Sequence, residues 1–361
     1  MKSNVIKLVN PLRTLLGPVC RWVFGLHREE TTYTRRGFRG ASKDMQRRLG
    51  DIGAAFLNGY HTSLRFGCSD ELIASLESSR LELRGFAYEG AAMGLALLDI
   101  LTPWKRDRVS AFLQRAGSHI YMVHVGVGWL WARLPRCTSL REHGFHPLLR
   151  WLAFDGWGFH EGYFHWAEYV SGKQPTKTLV GYETRAFDQG LGRSFWFVNG
   201  GDPGWITRTM SGFAASRRPD LWSGMGLAAA YAGMVSESAL LELTEAAGNY
   251  WPQLAQGAAF GLKARERAGN TTDYNELAAQ VLCGMSATEA AALTDTALEQ
   301  VLGISPSGAP AGLEPVYEQW RQKIQEHFID HQSVALTAWH EHDTSVHRPI
   351  SATTAFFSLP E

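Results

Sequence analysis

A glycine-rich stretch in the second half of the chain decides the predicted fold. It reads Asp220-Leu-Trp-Ser-Gly-Met-Gly-Leu-Ala-Ala-Ala-Tyr-Ala-Gly233, and a second apolar-polar segment runs from Glu237 to Tyr250. Small residues let neighbouring helices approach closely, and Gly233 can end the first helix in a left-handed turn. The pair resembles a tetratricopeptide-type helical hairpin. The residues that match that pattern are Trp222, Gly226, Tyr231, Ala246 and Pro252.

Similar glycine motifs recur along the chain, each after a polar or aromatic residue and before an apolar segment. Their first glycines are separated by 36, 30, 34, 34 and 33 residues, close to one helical hairpin per repeat. A glycine inside a helix costs about 1 kcal/mol against alanine, so repeated helical glycines need a packing reason, which stacked hairpins provide. These first glycines are Gly90, Gly126, Gly156, Gly190, Gly224 and Gly257.

The sequence therefore predicts an all-α fold of helical-hairpin repeats, either a tetratricopeptide-like solenoid or a closed α/α toroid. Residues 71–80 and 288–295 show apolar residues at helical spacing against a polar face, and we expect them in an outer layer. A nucleotide-binding interpretation of the glycines fails, because no motif has the spacing of a dinucleotide or phosphate loop.

Composition shifts predict four segments. We expect an N-terminal arm over residues 1–40, a helical-repeat domain over 41–302, a linker over 303–315 and a C-terminal helix and tail over 316–361. The linker is rich in Pro, Gly and Ser, which disfavour regular structure. The last helix is predicted from about Val316 to His331.

The charge balance and the cysteine content limit the classes of function that the chain can have. Lys+Arg and Asp+Glu both number 35, so the chain has no overall excess of positive charge with which to bind nucleic acid. No nucleic-acid partner is therefore expected. Cys20, Cys68, Cys137 and Cys283 are far apart and form no CxxC pair, which favours a reducing, cytoplasmic setting.

The first thirty residues carry basic and apolar side chains together. Pro11, Arg13 and Arg21 interrupt the apolar run, so we predict neither a signal peptide nor a membrane span. Two interpretations stay open. The arm is a helix packed on the body, or it is a basic amphipathic helix that makes peripheral membrane or partner contact.

Four ionisable residues near the glycine motifs are candidate catalytic groups: Glu89, Asp155, Asp188 and His160. If the glycine-bearing helices line a shared interior, their polar residues converge there, and burial would prepare a proton donor or base near neutral pH. Asp155 and Asp188 are interpreted as equivalent, because both precede a glycine motif. The alternatives are helix capping for each acid and a plain ion pair for Asp188 with a neighbouring arginine.

Aromatic residues surround these acids, most densely in the segment from Trp151 to Tyr169. Aromatic faces can stabilise a cation, although aromatics at helical spacing also serve as ordinary core. We expect the following residues to contact a lipophilic small-molecule substrate: Tyr88, His124, Trp151, Trp157, Phe159, Tyr163, Phe164, Trp196, Trp222, Tyr231 and Phe260.

Histidines cluster near the C-terminus at positions 327, 331, 340, 342 and 347. His at i and i+4 can ligate one metal, but no HExxH motif is present, and solvated surface histidines explain the cluster more simply. No metal site and no cofactor are predicted, and a haem or iron centre stays an alternative. The sequence contains no GxSxG nucleophile elbow, so hydrolase chemistry is not expected.

Several longer strings together resemble a bacterial family of unknown function whose members are frequently encoded in enediyne polyketide biosynthesis clusters. The resemblance covers about residues 35–295. The strings that carry it are Arg35-Arg-Gly-Phe38, Arg84-Gly-Phe-Ala-Tyr-Glu-Gly-Ala-Ala-Met-Gly94, His119-Ile-Tyr-Met-Val-His-Val-Gly-Val-Gly-Trp129, Leu148-Leu-Arg-Trp-Leu-Ala-Phe-Asp-Gly-Trp-Gly-Phe-His160, Asp188-Gln-Gly-Leu-Gly-Arg193, Leu254-Ala-Gln-Gly-Ala-Ala-Phe260 and Cys283-Gly-Met-Ser286.

The resemblance implies a role in natural-product biosynthesis on a lipophilic polyene or isoprenoid, with other biosynthetic enzymes as partners. It supplies no catalytic residues. Joined to the acids and aromatics, it leads to the hypothesis of a cofactor-independent cyclase or isomerase in which Asp155 or Asp188 delivers a proton. The competing hypotheses are a non-catalytic helical-repeat scaffold and a haem- or iron-dependent oxidoreductase.

Overall fold

The computed structural model describes residues 26–102, 104, 107–135, 144–304 and 314–346. Every regular element in these ranges is helical, which confirms the all-α prediction. Cys20, Cys137, His347 and most of the predicted linker lie outside the described residues. No helix in these ranges combines the length and apolar character needed to cross a bilayer.

The helices follow one another with short connections. Those from the first to the eighth are α1 (Tyr33–Arg36), α2 (Lys43–Phe66), α3 (Asp70–Glu77), α4 (Arg84–Leu101), α5 (Arg108–Arg115), α6 (Ile120–Arg133), α7 (Trp151–Phe164) and α8 (Trp166–Val170). The others are α9 (Tyr182–Val198), α10 (Pro203–Ser211), α11 (Arg218–Ala232), α12 (Glu237–Ala247), α13 (Trp251–Arg267), α14 (Asp273–Cys283), α15 (Ala287–Ile304) and α16 (Val316–Val346).

The longer helices α2, α4, α6, α7, α9, α11 and α13 pack side by side in chain order, and we call them the inner helices. Most of the shorter helices lie between them along the chain. Helix α3, predicted as an outer element, buries only Leu72 and Leu76, and Ser69 caps its start by accepting a hydrogen bond from the Leu72 amide. The type of repeat, a solenoid or a toroid, stays a prediction.

Paired glycines bring neighbouring inner helices into backbone contact. Two residues rotate a helix by about 200°, so the glycines of a GxG motif lie on nearly opposite faces. In α7, a Cβ at Gly156 would lie 2.0 Å from the Val125 oxygen of α6, and one at Gly158 would lie 1.9 Å from the Phe187 oxygen of α9. The predicted packing reason for the glycines is therefore present.

The run of inner helices curves back on itself. The Arg265 guanidinium of α13 donates a hydrogen bond of 2.8 Å to the Glu82 carbonyl, which precedes α4, and the Asn270 amide donates one of 3.1 Å to the Leu81 carbonyl. The rings of Phe86 and Tyr231 are 5.2 Å apart, which joins α4 to α11. The curved run therefore encloses an interior.

The C-terminal helices differ from expectation. Helix α15, which includes residues 288–295, packs directly against α13 instead of forming an outer layer, and its Ala290 and Ala291 are buried. Helix α16 continues past His331, the predicted end, to Val346. Its aromatic residues enter the core, where the Trp320 indole donates a 2.7 Å hydrogen bond to the Thr294 carbonyl.

Candidate active site

Two adjoining cavities occupy the interior. The larger has a volume of about 720 Å³ and the smaller about 540 Å³. Both volumes include the space at the cavity mouths that is open to solvent. Their walls are mainly aliphatic and aromatic, as in sites for lipophilic molecules. Arg193, Leu227 and Tyr231 line both cavities, so these residues mark the junction between them.

One helical register places side chains in the cavities. This register starts at the residue directly before the first glycine of a motif and includes the residues four and eight positions later. These three positions share a helix face, because four residues make slightly more than one turn. In α7 this face presents Asp155, Phe159 and Tyr163. Residues in the same register on other inner helices are Glu89, Val125, Trp129, Arg193, Phe197, Leu227, Tyr231, Phe260 and Ala264.

Arg193 is the polar centre of this arrangement. Its Nη2 lies 2.8 Å from Asp155 Oδ1, and its guanidinium lies 4.7 Å from the centre of the Phe159 ring. The contact with Asp155 lacks the geometry of a hydrogen bond, so Arg193 Nε and Nη2 both have no acceptor among the described residues. Arg193 is only 6% exposed.

Asp155 has a second partner on the neighbouring helix. Its Oδ2 accepts a 2.9 Å hydrogen bond from the Gln189 side chain, which also lies 3.3 Å from the Tyr317 hydroxyl of α16. Burial raises the pKa of Asp155, against the opposing effects of Arg193 and Gln189. The smaller cavity therefore has a firmly positioned acid in its wall.

Glu89 lines the larger cavity and is 4% exposed. Its Oε1 accepts a 2.8 Å hydrogen bond from the Trp129 indole. Burial raises the pKa of Glu89 to about 7, while the charge of Arg193 and the indole hydrogen bond oppose the rise. Near neutral pH the side chain can therefore either donate or accept a proton.

Comparison with family models identifies the chain at this point. A model described as a protein of unknown function (DUF1702) matches residues 15–328. The chain belongs to the DUF1702 family. No curated protein and no solved structure matches it.

Seven predicted site residues of this DUF1702 protein line the two cavities. They are Glu89, Asp155, Phe159, Tyr163, Phe164, Tyr231 and Phe260. Glu89 and Asp155 lie inside their helices, in the second turn after Arg84 and Trp151, so the capping explanation does not hold for them. Their side chains project into the interior instead.

Asp188 is placed differently from Asp155. Its carboxylate accepts two hydrogen bonds from Arg217, 2.8 Å from Nε and 2.5 Å from Nη2, and it lines neither cavity. The sequence explains the difference, because Asp188 stands two residues before its glycine and Asp155 stands one before. One residue turns a helix by about 100°, so the two acids face different surroundings and are not equivalent.

His160 and His124 lie in the packed core outside both linings. His160 Nδ1 is 3.5 Å from Glu161 Oε1, without hydrogen-bond geometry, and burial lowers the pKa of the imidazole. His124 is fixed between two backbone groups, the Ile120 carbonyl at 2.8 Å and the His146 amide at 3.3 Å, and burial lowers its pKa to about 4. Both rings are therefore neutral at neutral pH.

The other predicted contact residues also lie outside the linings. The Tyr88 hydroxyl donates a 2.7 Å hydrogen bond to Glu77, and its ring stacks on His119 at 4.4 Å. The remaining members of this group pack between helices: Trp151, Trp157, Trp196 and Trp222. Their role in this structure is packing.

Several lining residues were not predicted. The sequence suggested Arg193 only as a partner for Asp188. Arg193 nevertheless stands four residues after Gln189, the residue directly before Gly190, and therefore belongs to the register that faces the interior. Trp129 and Phe197 follow from the same count. Tyr317 and Trp320 of α16 and Leu26, Glu30 and Thr31 before α1 also line the cavities, and no motif in the sequence indicated them.

The C-terminal histidines do not form a recognisable metal site in the described part of the chain. His327 and His331 stack with ring centres 4.2 Å apart, and the side chains of His340 and His342 lie outside the described residues. Within the described ranges no group of three or more His, Cys, Asp or Glu residues is arranged to hold a metal ion.

Proposed function

We propose that this protein is a natural-product biosynthesis enzyme that transfers a proton on a lipophilic polyene or isoprenoid, which results in isomerisation or cyclisation. The supporting observation is a single one: Glu89 lies in an aromatic cavity with a pKa raised to about 7. The link to enediyne pathways and to partner enzymes rests on the sequence resemblance and is part of the proposal, as is a cytoplasmic location.

Glu89 is better suited than Asp155 to carry the proton. Asp155 is held by Arg193 and Gln189, whereas the indole of Trp129 is the hydrogen-bond partner of Glu89 and occupies one carboxyl oxygen. A group whose pKa lies near the working pH can give and take a proton with little free-energy cost in either direction. Glu89 can therefore deliver a proton to one carbon and remove one from another within a single turnover.

The aromatic wall has two roles in this proposal. Its apolar surface excludes water, which protects a reactive intermediate from hydrolysis or capture. The ring faces of Trp129, Phe159 and Tyr231 can also stabilise positive charge that develops along a polyene, by about 0.5–2 kcal/mol for each favourable face. Cavities of this size with mainly apolar walls favour a small-molecule substrate over the peptide groove expected of a scaffold.

The Glu89→Gln substitution tests the proposal. The amide keeps the size of the side chain and removes the exchangeable acid, so a host lacking the native gene and carrying this variant should lose at least about 99% of the pathway product, in line with the usual contribution of general acid-base catalysis. Glu161→Gln is the control, because Glu161 lies on an inner helix, outside both linings, and pairs with Lys173. Metabolite extracts analysed by mass spectrometry provide the measurement.

Two other outcomes would identify the competing functions. Full product formation by Glu89→Gln, together with loss of product when Leu227→Trp fills the cavity junction, would indicate a ligand carrier instead of a proton-transfer enzyme. A haem or iron oxidoreductase would reveal itself in the absorption spectrum and metal content of the purified protein.

A further inference from the structure

Arg193 has donors that the protein leaves unused. The side chain is more than nine-tenths buried, and its Nε has no hydrogen-bond acceptor among the described residues, while Nη2 lies 2.8 Å from Asp155 Oδ1 in an ion pair without hydrogen-bond geometry. Burying a donor without an acceptor destabilises the folded protein. Such a group is stable when a bound molecule supplies the missing acceptor, so Arg193 points to a ligand that carries one.

The position of Arg193 indicates where on the ligand that acceptor lies. Arg193 borders both cavities, and beyond it each cavity is walled mainly by apolar side chains. A ligand with its polar group at one end, and that group on Arg193, would leave one cavity unused. A ligand with its polar group near the middle meets Arg193 and extends one apolar arm into each cavity.

The charges around Arg193 select a neutral acceptor. Asp155 lies 2.8 Å from the guanidinium, and Glu89 lies close enough for the charge of Arg193 to lower its pKa. A phosphate or carboxylate would add negative charge beside these two acids in a poorly solvated site, which is costly. A carbonyl oxygen accepts two N–H groups without adding a charge.

We propose that the substrate is a long apolar molecule with a carbonyl group near its middle, held by Arg193 at the junction of the two cavities. This inference deepens the proposed function and rests on it for the chemical step. The Glu89 carboxylate takes a proton from a carbon adjacent to the carbonyl, and the electron pair of that C–H bond moves to the carbonyl oxygen. Arg193 stabilises the resulting enolate.

The step then completes without a further reactant. Protonated Glu89 returns the proton to a carbon further along the conjugated system, the carbonyl re-forms, and a double bond has moved along the chain. No atom is gained or lost and nothing is oxidised or reduced. The reaction is an isomerisation of an unsaturated ketone or related carbonyl compound.

Binding of simple long-chain compounds tests the recognition part. The compounds are a symmetrical ketone with its carbonyl at the central carbon, the alkane of the same chain length and the carboxylic acid of the same chain length. The ketone should bind the purified full-length protein at least about tenfold more tightly than the alkane, because one hydrogen bond to a charged donor contributes about 1.5–3 kcal/mol. Equal affinity for ketone and alkane, or tightest binding of the acid, would overturn the proposal.

Two variants and a spectroscopic measurement complete the test. Arg193→Met should abolish the preference for the ketone, whereas Arg84→Met, which removes an arginine outside both linings, should retain it. The infrared carbonyl stretch of the bound ketone should lie at lower wavenumber in the wild-type protein than in hexane. That measurement needs no variant, so an unshifted stretch refutes the assignment even if Arg193→Met does not fold.

The outcomes separate this inference from the proposed function. Glu89→Gln should bind the ketone as the wild type does, because Glu89 is assigned to proton transfer and Arg193 to recognition. A retained ketone preference with full activity of Glu89→Gln would sink the proposed function and the chemical step that rests on it, and would leave the recognition of a carbonyl group by Arg193 standing. Loss of product in Glu89→Gln without any ketone preference would sink the inference alone.

Discussion

At the scale of the residue, the site depends on a carboxyl group that its surroundings keep partly protonated. The pKa of Glu89 rises from 4.5 to about 7 chiefly because burial disfavours the carboxylate. Arg193 lies near enough to limit the rise, so the group titrates close to neutrality. The same burial that brings the pKa of Glu89 close to neutrality also makes the charge of its carboxylate unfavourable for the folded state.

The pH dependence of stability follows from that shift. Between pH 4.5 and about 7 the folded protein binds a proton at Glu89 that the unfolded chain releases, so this contribution is fully present below pH 4.5 and is lost as pH rises through about 7. Relative to Glu89→Gln, the free energy of unfolding of the wild type should fall by about 3 kcal/mol over this interval. Urea unfolding of both proteins across the interval measures the difference. Parallel pH profiles would contradict the prediction.

The sequence indicated part of this site at residue level. It predicted Glu89 and Asp155 because the polar residues beside the glycine motifs were expected to converge on an interior shared by the glycine-bearing helices. It failed for Asp188, where a shift of one residue turns the side chain to Arg217. It also missed Arg193, because an arginine beside an aspartate in sequence suggests a local ion pair, whereas the acid it contacts is Asp155 on another helix.

At the scale of the element, the glycines act as contact points between helices. A Cβ at Gly226 would lie 1.8 Å from the Leu254 oxygen of α13, and a contact this short forces the two helices apart. Gly50, in contrast, is a helical glycine of α2, and apart from the backbone of its own helix and its chain neighbours nothing lies within 4 Å of the position of a Cβ. An alanine at Gly226 therefore adds the cost of crowding the neighbouring helix, whereas an alanine at Gly50 changes only the intrinsic helix propensity.

Alanine substitutions at these two glycines should change stability in opposite directions. Gly226→Ala should lower the free energy of unfolding by at least about 2 kcal/mol through overpacking, and Gly50→Ala should raise it by about 0.5–1 kcal/mol through helix propensity. Chemical denaturation of the two variants beside the wild type measures both effects. A neutral Gly226→Ala would show that the inner helices do not need their backbone contact.

Most of the elements were predictable because the glycine pattern and the helical periodicity agree. The exceptions lie at the C-terminal end of the chain. Helix α15 has a polar face typical of an outer helix, yet it packs on α13, and the burial of Tyr317 and Trp320 of α16 depends on surfaces distant in sequence. Periodicity identifies the apolar face of a helix but not the neighbour that covers it.

At the scale of the whole molecule, the enclosure of the cavities depends on contacts between the two ends of the inner-helix run. Arg265 of α13 makes one of these contacts, because it donates to the carbonyl of Glu82, which precedes α4. It also donates to the carbonyl of Tyr231 on the adjacent helix α11 and lies 4.1 Å from the Tyr231 ring centre. It is 1% exposed.

Arg265→Met should therefore weaken the enclosure. We expect a loss of about 2–4 kcal/mol in the free energy of unfolding, because the buried Tyr231 carbonyl and the partly buried Glu82 carbonyl lose their donor. Hydrogen exchange should also become faster around residues 82 and 231. Arg267→Met, an exposed position two residues further along the same helix, serves as the control. Unchanged exchange in Arg265→Met would show that other contacts hold the two ends together.

On the inner helices, helix packing and the lining of the interior depend on different residues, and this has a consequence for how the protein can change during evolution. The glycines that join a helix to its neighbours and the side chains that face the interior occupy separate positions of the same short motif. Evolution, or an engineer, can therefore exchange the interior side chains for others of similar volume while the joints between helices stay as they are. One scaffold can in this way provide interiors of different shape.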